Sequence, residues 1–418
     1  MLAKLATSLG LACLLGNVGL ARADLSLEQA VQAALADSAH LRAQEEDHSA
    51  AQQALTASGT LPDPRLYGGL SNIPVSSMGG VNAYSSGQDA MSARVIGISQ
   101  DLPNTAKRQA ARDQAQADAE LSSADITQAR SDLAIAAAQA WIALHAEEQR
   151  RQLLLRQRQD GLLLVQLSAR QVAVGQAAPV DALQARLDLA DLDNALAQNL
   201  AAVAMRRARL VRLIGAAGQA PLCGTVPAWP LQDADLRQRL AQHPDLQVAA
   251  AKVRQAAADV AAASANQHPD WGVDLAYQHR GPAYADMMSL TVSMSLPVFQ
   301  GQRQGPRLKA QESRLLAARD DLLDLQREHV AQLQADLSLW QALNTQVTRL
   351  HQEELPLAQQ KIDLLLASYR NGQGDIATLL AARQARRRLL LQAIDLDEQR
   401  TQLSARLHYQ GYSPEQGS

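Results

Sequence analysis

Aromatic residues are scarce in this chain: they make up 3 % of 418 residues, and phenylalanine occurs once, at Phe299. That is little for a membrane β-barrel, whose interfaces are girdled by aromatics, and it counts somewhat for a soluble hairpin as the alternative where strands occur. Cysteine is scarcer still. Cys13 falls in a leader-like stretch, where it reads as a signal-peptide residue more readily than as a lipidation site, and Cys223 is then the lone cysteine of the processed chain. No internal disulfide can form, so an oxidising compartment places no constraint on the fold. The net charge of −3 is too mild to imply a nucleic-acid partner. Beyond the leader no apolar run reaches the ~18 residues that a membrane helix requires. Catalytic motifs are missing too: there is no H-E-x-x-H, no P-loop and no G-x-S-x-G, and none of the nine histidines stands three or four residues from another. No enzymatic activity, cofactor or metal site is therefore expected. Either the protein is free in the periplasm or it enters a membrane as strands.

The leader itself sets the compartment. Lys4, the apolar stretch Leu5 to Leu20 and the small-x-small run Ala21-Arg22-Ala23 read as a signal peptide over 1–23, so the mature chain is expected to begin at Asp24.

The mature chain repeats itself. Trp340, in W-Q-A-L, lies 199 residues after Trp141, in W-I-A-L; Leu296-Pro297 echoes Leu102-Pro103 at 194; Gly372-Gln373…Leu380…Ala382-Arg383 echoes Gly175-Gln176…Leu183…Ala185-Arg186 at 197. A period near half the chain length marks a tandem duplication. The first repeat spans 24–214 and the second 232–409, with a Pro- and Gly-rich linker at 215–231 and a tail at 410–418.

Most of each repeat is long helix. Residues 104–173 contain no proline and one glycine, and 307–370 read alike with Pro356 as the interruption. Val330, Leu333, Leu337, Trp340, Leu343, Val347 and Leu350 recur at intervals of three and four, a coiled-coil seam. A helix of ~70 residues is about 100 Å long, beyond any compact domain. Ser26 to Gly59, opened by a Ser26…Gln29 capping pair, and Pro179 to Ile214 are half-length helices, as are 232–266 and 375–409. Stacked end to end, two such helices match one long partner, which predicts a sheet of four coiled-coil rods.

Between the helices lie two candidate hairpins, at about 65–101 and 271–297. Met288, Leu290, Val292, Met294 and Leu296 alternate with Ser289, Thr291, Ser293 and Ser295, and Trp271, Val273, Leu275 and Tyr277 alternate with polar or small residues. A period of two over ~9 to 11 residues suits strands that cross a membrane. Met287, Met288 and Met294 could be soft-metal ligands, but two of them belong to the apolar face and read as lipid contacts. Strands at 65–73 and 91–100 alternate less cleanly and rest mainly on the repeat. Four strands cannot close a barrel, and an open edge in hydrocarbon is costly. Two copies would give a filled eight-stranded barrel, whereas three would give twelve strands with a lumen.

Val174-Gly175…Asp181…Ala185-Arg186 and Tyr369-Arg370-Asn371-Gly372…Leu380, each closing a long helix, resemble the two periplasmic tips of TolC-like outer-membrane efflux proteins. Leu61-Pro62-Asp63-Pro64-Arg65-Leu66 and Gly97 to Asn104 with Lys107-Arg108 resemble the branch that serves heavy-metal efflux pumps. The resemblance implies a mainly α protein with a small β part: a long α-helical barrel continuous with a twelve-stranded β-barrel, formed by a homotrimer. It implies a passive channel in the outer membrane of a Gram-negative bacterium, with outer-membrane lipid around the strands and most of the chain in the periplasm. Its partners would be a periplasmic adaptor protein and an inner-membrane pump of the RND type, with 215–231 in an equatorial belt. Cargo is expected to be heavy-metal ions, with multidrug efflux or type I protein secretion as alternatives. A periplasmic coiled-coil adaptor would share the hairpins but would carry separate small β domains.

The resemblance also points to gate residues. In the prototype of the family a Tyr on one coil latches to an Asp on another, and the matching positions are Tyr369 and Asp181, beside the tip glycines Gly175 and Gly372. The prototype's gate carboxylates match Thr378 and Ala381, and an Arg of its closed state matches Gly374, so its cation-selecting ring is not carried over. Asp375 could supply a substitute ring of carboxylates, or could simply complement the dipole of the helix it precedes.

Overall fold

A computed structural model describes residues 24–73, 91–229, 231–281, 284–371 and 373–410. The expected signal peptide, Gly372 and nearly all of the expected tail lie outside these. The helices are α1 (Leu27–Asp37), α2 (Ala39–Ala57), α3 (Thr105–Ala173), α4 (Pro179–Ile214), α5 (Asp233–Leu240), α6 (Pro244–Ala265), α7 (Gly305–Arg349), α8 (Leu355–Arg370) and α9 (Ile376–Tyr409). Four strands, β1 (Arg65–Ser71), β2 (Ala93–Leu102), β3 (Trp271–His279) and β4 (Met287–Met294), form one antiparallel sheet in the order β1-β2-β3-β4. The chain is mostly helical with a small sheet, as its composition predicts.

At 69 residues α3 is one uninterrupted helix about 100 Å long. The other predicted rods are jointed. The helix expected over 26–59 breaks at Ser38, whose extended backbone (ψ 115°) and side chain, accepting the Leu41 N–H at 3.2 Å, cap a new helix. The helix expected over 232–266 breaks before Pro244, because a residue preceding proline is pushed out of the α region; His243 sits at ψ 133°. Before Pro356 the winding continues but widens to a π-turn over Leu350–Glu354, which accommodates a residue that has no N–H and crowds the preceding turn. The Ser26…Gln29 pair forms as predicted, each backbone N–H bonded to the other's side-chain oxygen, at 2.9 and 3.2 Å.

The chain divides into two compact units. The first comprises the N-terminal segment to Asp37, residues 137–227 and 364–384. Its centre is Trp141, fully buried, whose indole N–H donates to the Leu25 carbonyl at 3.0 Å, while Leu25 forms a parallel bridge with Leu222. Arg207 ties down the 215–220 segment through the Gly218 and Ala220 carbonyls (3.2 and 2.9 Å) and pairs with Glu148. Cys223 is half-buried there.

The second unit comprises 38–136, 228–363 and 385–418 and holds the sheet. Its helical core gathers Leu236, Leu333, Leu343, Leu403 and Leu407, with Trp340 donating to Ser404 Oγ at 2.9 Å. The predicted seam is buried at Leu333, Leu343, Val347 and Leu350, whereas Val330 stays exposed.

The sheet has two unlike faces. Register aligns Leu66, Ile98, Leu275 and Leu290 in one row across all four strands, flanked by Ile96–Tyr277–Met288 and Val273–Val292. All but Val273 are exposed, although apolar. The other face carries Ser99–Asp274–Thr291 and Gly97–Ala276–Ser289, with the Tyr67 hydroxyl donating to Asp274 at 2.8 Å. Beneath the sheet a corner joins strand to helix: Asp270 accepts the Asn104 N–H at 3.0 Å and pairs with Lys107 at 2.5 Å, while Gln100 donates to the Pro62 carbonyl at 2.7 Å.

Candidate functional site

Both predicted tips lie in the first unit, so their geometry can be built residue by residue. At the end of α3 the Gly175 N–H bonds the Val172 carbonyl (3.1 Å) and the Gln176 N–H bonds the Gln171 carbonyl (2.8 Å). These two bonds close a Schellman turn, and Gly175, at φ +71°, takes the left-handed position the turn requires. At the end of α8 the Gln373 N–H reaches the Ser368 carbonyl at 3.0 Å, with the same spacing. Gly372 lies between them, outside the described residues.

Asp181 and Asp375 both cap helices. The Asp181 carboxylate accepts the Ala178 N–H at 3.1 Å, at the start of α4. Asp375 accepts the Ala377 and Thr378 N–H groups at 3.1 and 3.3 Å, and the Thr378 hydroxyl at 3.2 Å, at the start of α9. Capping thus accounts for Asp375 in the single chain, in line with the helix-start role weighed for it.

Tyr369, the penultimate residue of α8, is buried, at 7 % exposure. Its hydroxyl donates to Gln171 Oε1 on α3, not to Asp181. Burial, reinforced by the charges of Asp181 and Asp375, holds the hydroxyl above its ordinary range. The structure therefore brings Tyr369 into the field of both predicted carboxylates while giving its proton to a residue the sequence reading did not single out. A second such link joins the repeats: Gln384 of α9 donates to the buried Asp188 of α4 at 2.9 Å. Neither Gln171 nor Asp188 announces itself in sequence, since their partners lie 198 and 196 residues away.

Gly374 is held by contact. A Cβ there would stand 2.9 Å from the Tyr369 nitrogen and 3.2 Å from Ser368, so the larger Arg of the prototype has no place in this backbone.

Two coiled tips of this kind, long helices and a four-stranded sheet with an exposed apolar face make up a distinctive combination. The sequence profile of the family described as outer membrane efflux protein matches residues 30–216 and 236–409, one block per repeat. The chain belongs to the outer membrane efflux protein family. Its likeness to solved structures agrees. It is similar to the CusC channel (16 % identity, TM-score 0.77, 92 % of each chain covered) and to the outer membrane protein VceC of Vibrio cholerae (19 %, 0.77, 92 % of this chain and 96 % of that one). It is also similar to the open-state MtrE outer membrane channel of Neisseria gonorrhoeae (17 %, 0.71, 92 % and 88 %). At these identities the likeness is one of fold. No curated protein sequence matches it significantly. Membership makes this efflux protein a channel and not an enzyme, as the lack of catalytic motifs suggested. Among the described residues no helix is long and apolar enough to cross a membrane.

Proposed function

We propose that the chain is the passive exit duct of a tripartite efflux pump, assembled as a homotrimer whose three four-stranded sheets close a twelve-stranded barrel in the outer membrane of a Gram-negative bacterium. The observation that carries this reading is the sheet. One face presents the continuous row Leu66–Ile98–Leu275–Leu290 to the outside, the other is mostly polar or small apart from Tyr67, Val95 and Met287, and β1 and β4 find no further strand among the described residues. Apolar-out and polar-in alternation with open edges suits a segment of a membrane barrel completed by other copies. The helices then form the periplasmic tunnel, closed at its tip by the region of Tyr369 and Asp181 with Asp375 and the turns at Gly175 and Gly372. A periplasmic adaptor and an inner-membrane pump of the RND type supply docking and energy. Detergent extraction is expected to yield a trimer with a length on the order of 130 Å, from ~100 Å of helix and a ~30 Å hydrocarbon layer; a monodisperse monomer, soluble without detergent, overturns the reading.

Heavy-metal ions are the cargo on this proposal, supported by the resemblance of the 61–66 and 97–108 runs to the metal-efflux branch. The same runs build the strand-to-helix corner through Arg65–Asp101, Gln100–Pro62 and Lys107–Asp270, so their structural duty is independent of cargo. A deletion strain is expected to become sensitive to heavy-metal ions. Normal metal tolerance with sensitivity to bulky organic drugs moves the assignment to multidrug efflux.

A further inference from the structure

His243 and His329 are 86 residues apart in sequence, yet their rings lie face to face in the second unit, with centroids 4.1 Å apart and planes tilted by 35°. His243 precedes Pro244 at the start of α6, and His329 lies midway along α7. Asp245 joins them: its Oδ2 is 3.2 Å from His329 Nε2 and 3.8 Å from His243 Nδ1. One ligand atom from each of the three residues falls within 4.8 Å of the other two.

From these positions we propose that His243, Asp245 and His329 form a binding site for one divalent first-row transition cation such as Zn2+. Two imidazoles and a carboxylate are ligands suited to that class, with bonds of ~2.0 to 2.2 Å, so a modest inward movement of the three groups closes the site. Three further observations favour a ligand here. His329 Nε2 is buried and makes no hydrogen bond, since its approach to Asp245 lacks the required alignment, and His243 Nε2 is likewise buried without a partner. Orphaned polar atoms of this kind are uncommon and costly. Next, Asp245 is already oriented: its Oδ1 accepts from Gln128 at 2.9 Å, leaving Oδ2 directed at the histidines, which is the outer support a ligating carboxylate normally has. Last, a cavity of about 20 Å³ bordered by His243, His329, Gln332 and Asp336 has room for one water-sized ligand beside the ion. Burial together with the neighbouring His329 holds His243 below its ordinary range, against the pull of Asp245, and its Nδ1 accepts the Asp245 N–H at 3.2 Å, a bond that ligation through this ring would replace. The cation would clasp the start of α6 to α7. Arg239, also on the cavity wall, opposes the added charge and sets a limit on affinity.

The site is independent of what the duct carries, and its test uses no transport assay. The purified full-length protein, stripped with chelator and equilibrated with Zn2+ alone, is expected to retain close to one ion per chain. His329→Ala and Asp245→Asn are expected to lower the affinity at least tenfold, while His351→Ala, at an exposed histidine elsewhere on the second unit, leaves it unchanged. Asp245→Asn retains the side-chain shape, so circular dichroism that matches the parent excludes unfolding as the cause. Co2+ substitution should give visible absorption bands in the parent that vanish in His329→Ala. Wild-type protein that retains no Zn2+, or a His329→Ala variant that binds as tightly as the parent, overturns the proposal.

Discussion

The two tips are built on one plan and finished differently. Offset by 197 residues, Ala178 corresponds to Asp375, Asp181 to Thr378, Ala177 to Gly374 and Val172 to Tyr369. Each tip has one aspartate at its helix start, placed at opposite ends of the same three-residue interval. In the first tip the carboxylate reaches back from the third helical position to the cap N–H; in the second it sits on the cap and reaches forward to the third N–H. Each is half of a capping box, and the duplicated unit has kept the negative charge at the positive end of the dipole while letting its position drift. What has not drifted symmetrically is the packing. Only the second tip carries a buried tyrosine, and only there does a close approach require glycine.

That asymmetry can be broken most severely at Gly374. Gly374→Ala puts a Cβ against the Tyr369 backbone and is expected to destabilise the tip by about 1 to 3 kcal/mol, as overpacking does, whereas Ala177→Gly should cost no more than ~1 kcal/mol through chain entropy. Hydrogen exchange of the tip amides measures both, and equal effects would show that the tips are packed alike. Next in size is the pair Asp375→Ala and Asp181→Ala. Loss of the cap should cost about 1 kcal/mol, and loss of the back-reaching carboxylate about 0.3 to 1 kcal/mol, read as earlier exchange in the first turns of α9 and α4. A larger loss for Asp181 would reveal a duty beyond capping, such as a latch to Tyr369. An effect comparable to that of the caps is expected for Tyr369→Phe, about 0.5 to 1.5 kcal/mol, through the bond to Gln171. Ionic leak through the closed channel in planar bilayers should rise, and an unchanged closed-state current would exclude Tyr369 from gating. The tyrosine also gives a pH signature. Its folded-state value is raised, so its contribution is complete below the ordinary value of 10.0 and is lost as pH climbs through the higher folded value. Alkaline loosening of the tip should therefore disappear in the phenylalanine variant.

Most of the architecture was legible because helix and strand periods depend on near neighbours. The 69 residues of α3 contain no proline, and β4 alternates without fault from Met288 to Met294. The joints were less so. Pro244 marks a break that local sterics impose, but Ser38 lies in a run of good helix formers, where a serine can serve on a wet face or as a cap. At the tips, Gly175 and the capping role of Asp375 could be read from local rules, whereas the Tyr369–Gln171 bond, the Gln384–Asp188 bond and the His243–His329 pair depend on which helices pack together. No short-range spacing encodes such meetings.

The unfinished sheet has a consequence for the life of the newly made chain. A solitary copy in water carries an adhesive surface: an apolar row on one side, and the outer ladders of β1 and β4 with no further strand among the described residues. Such edges pair with whatever strand they meet, and at high concentration that is the wrong neighbour. The helices, whose hydrogen bonds are internal, can form at once, whereas the strands gain by waiting. Production of this protein should therefore be limited by escort and timing and not by the intrinsic stability of its rods, and overexpression should fail first through the 65–71 and 287–294 segments.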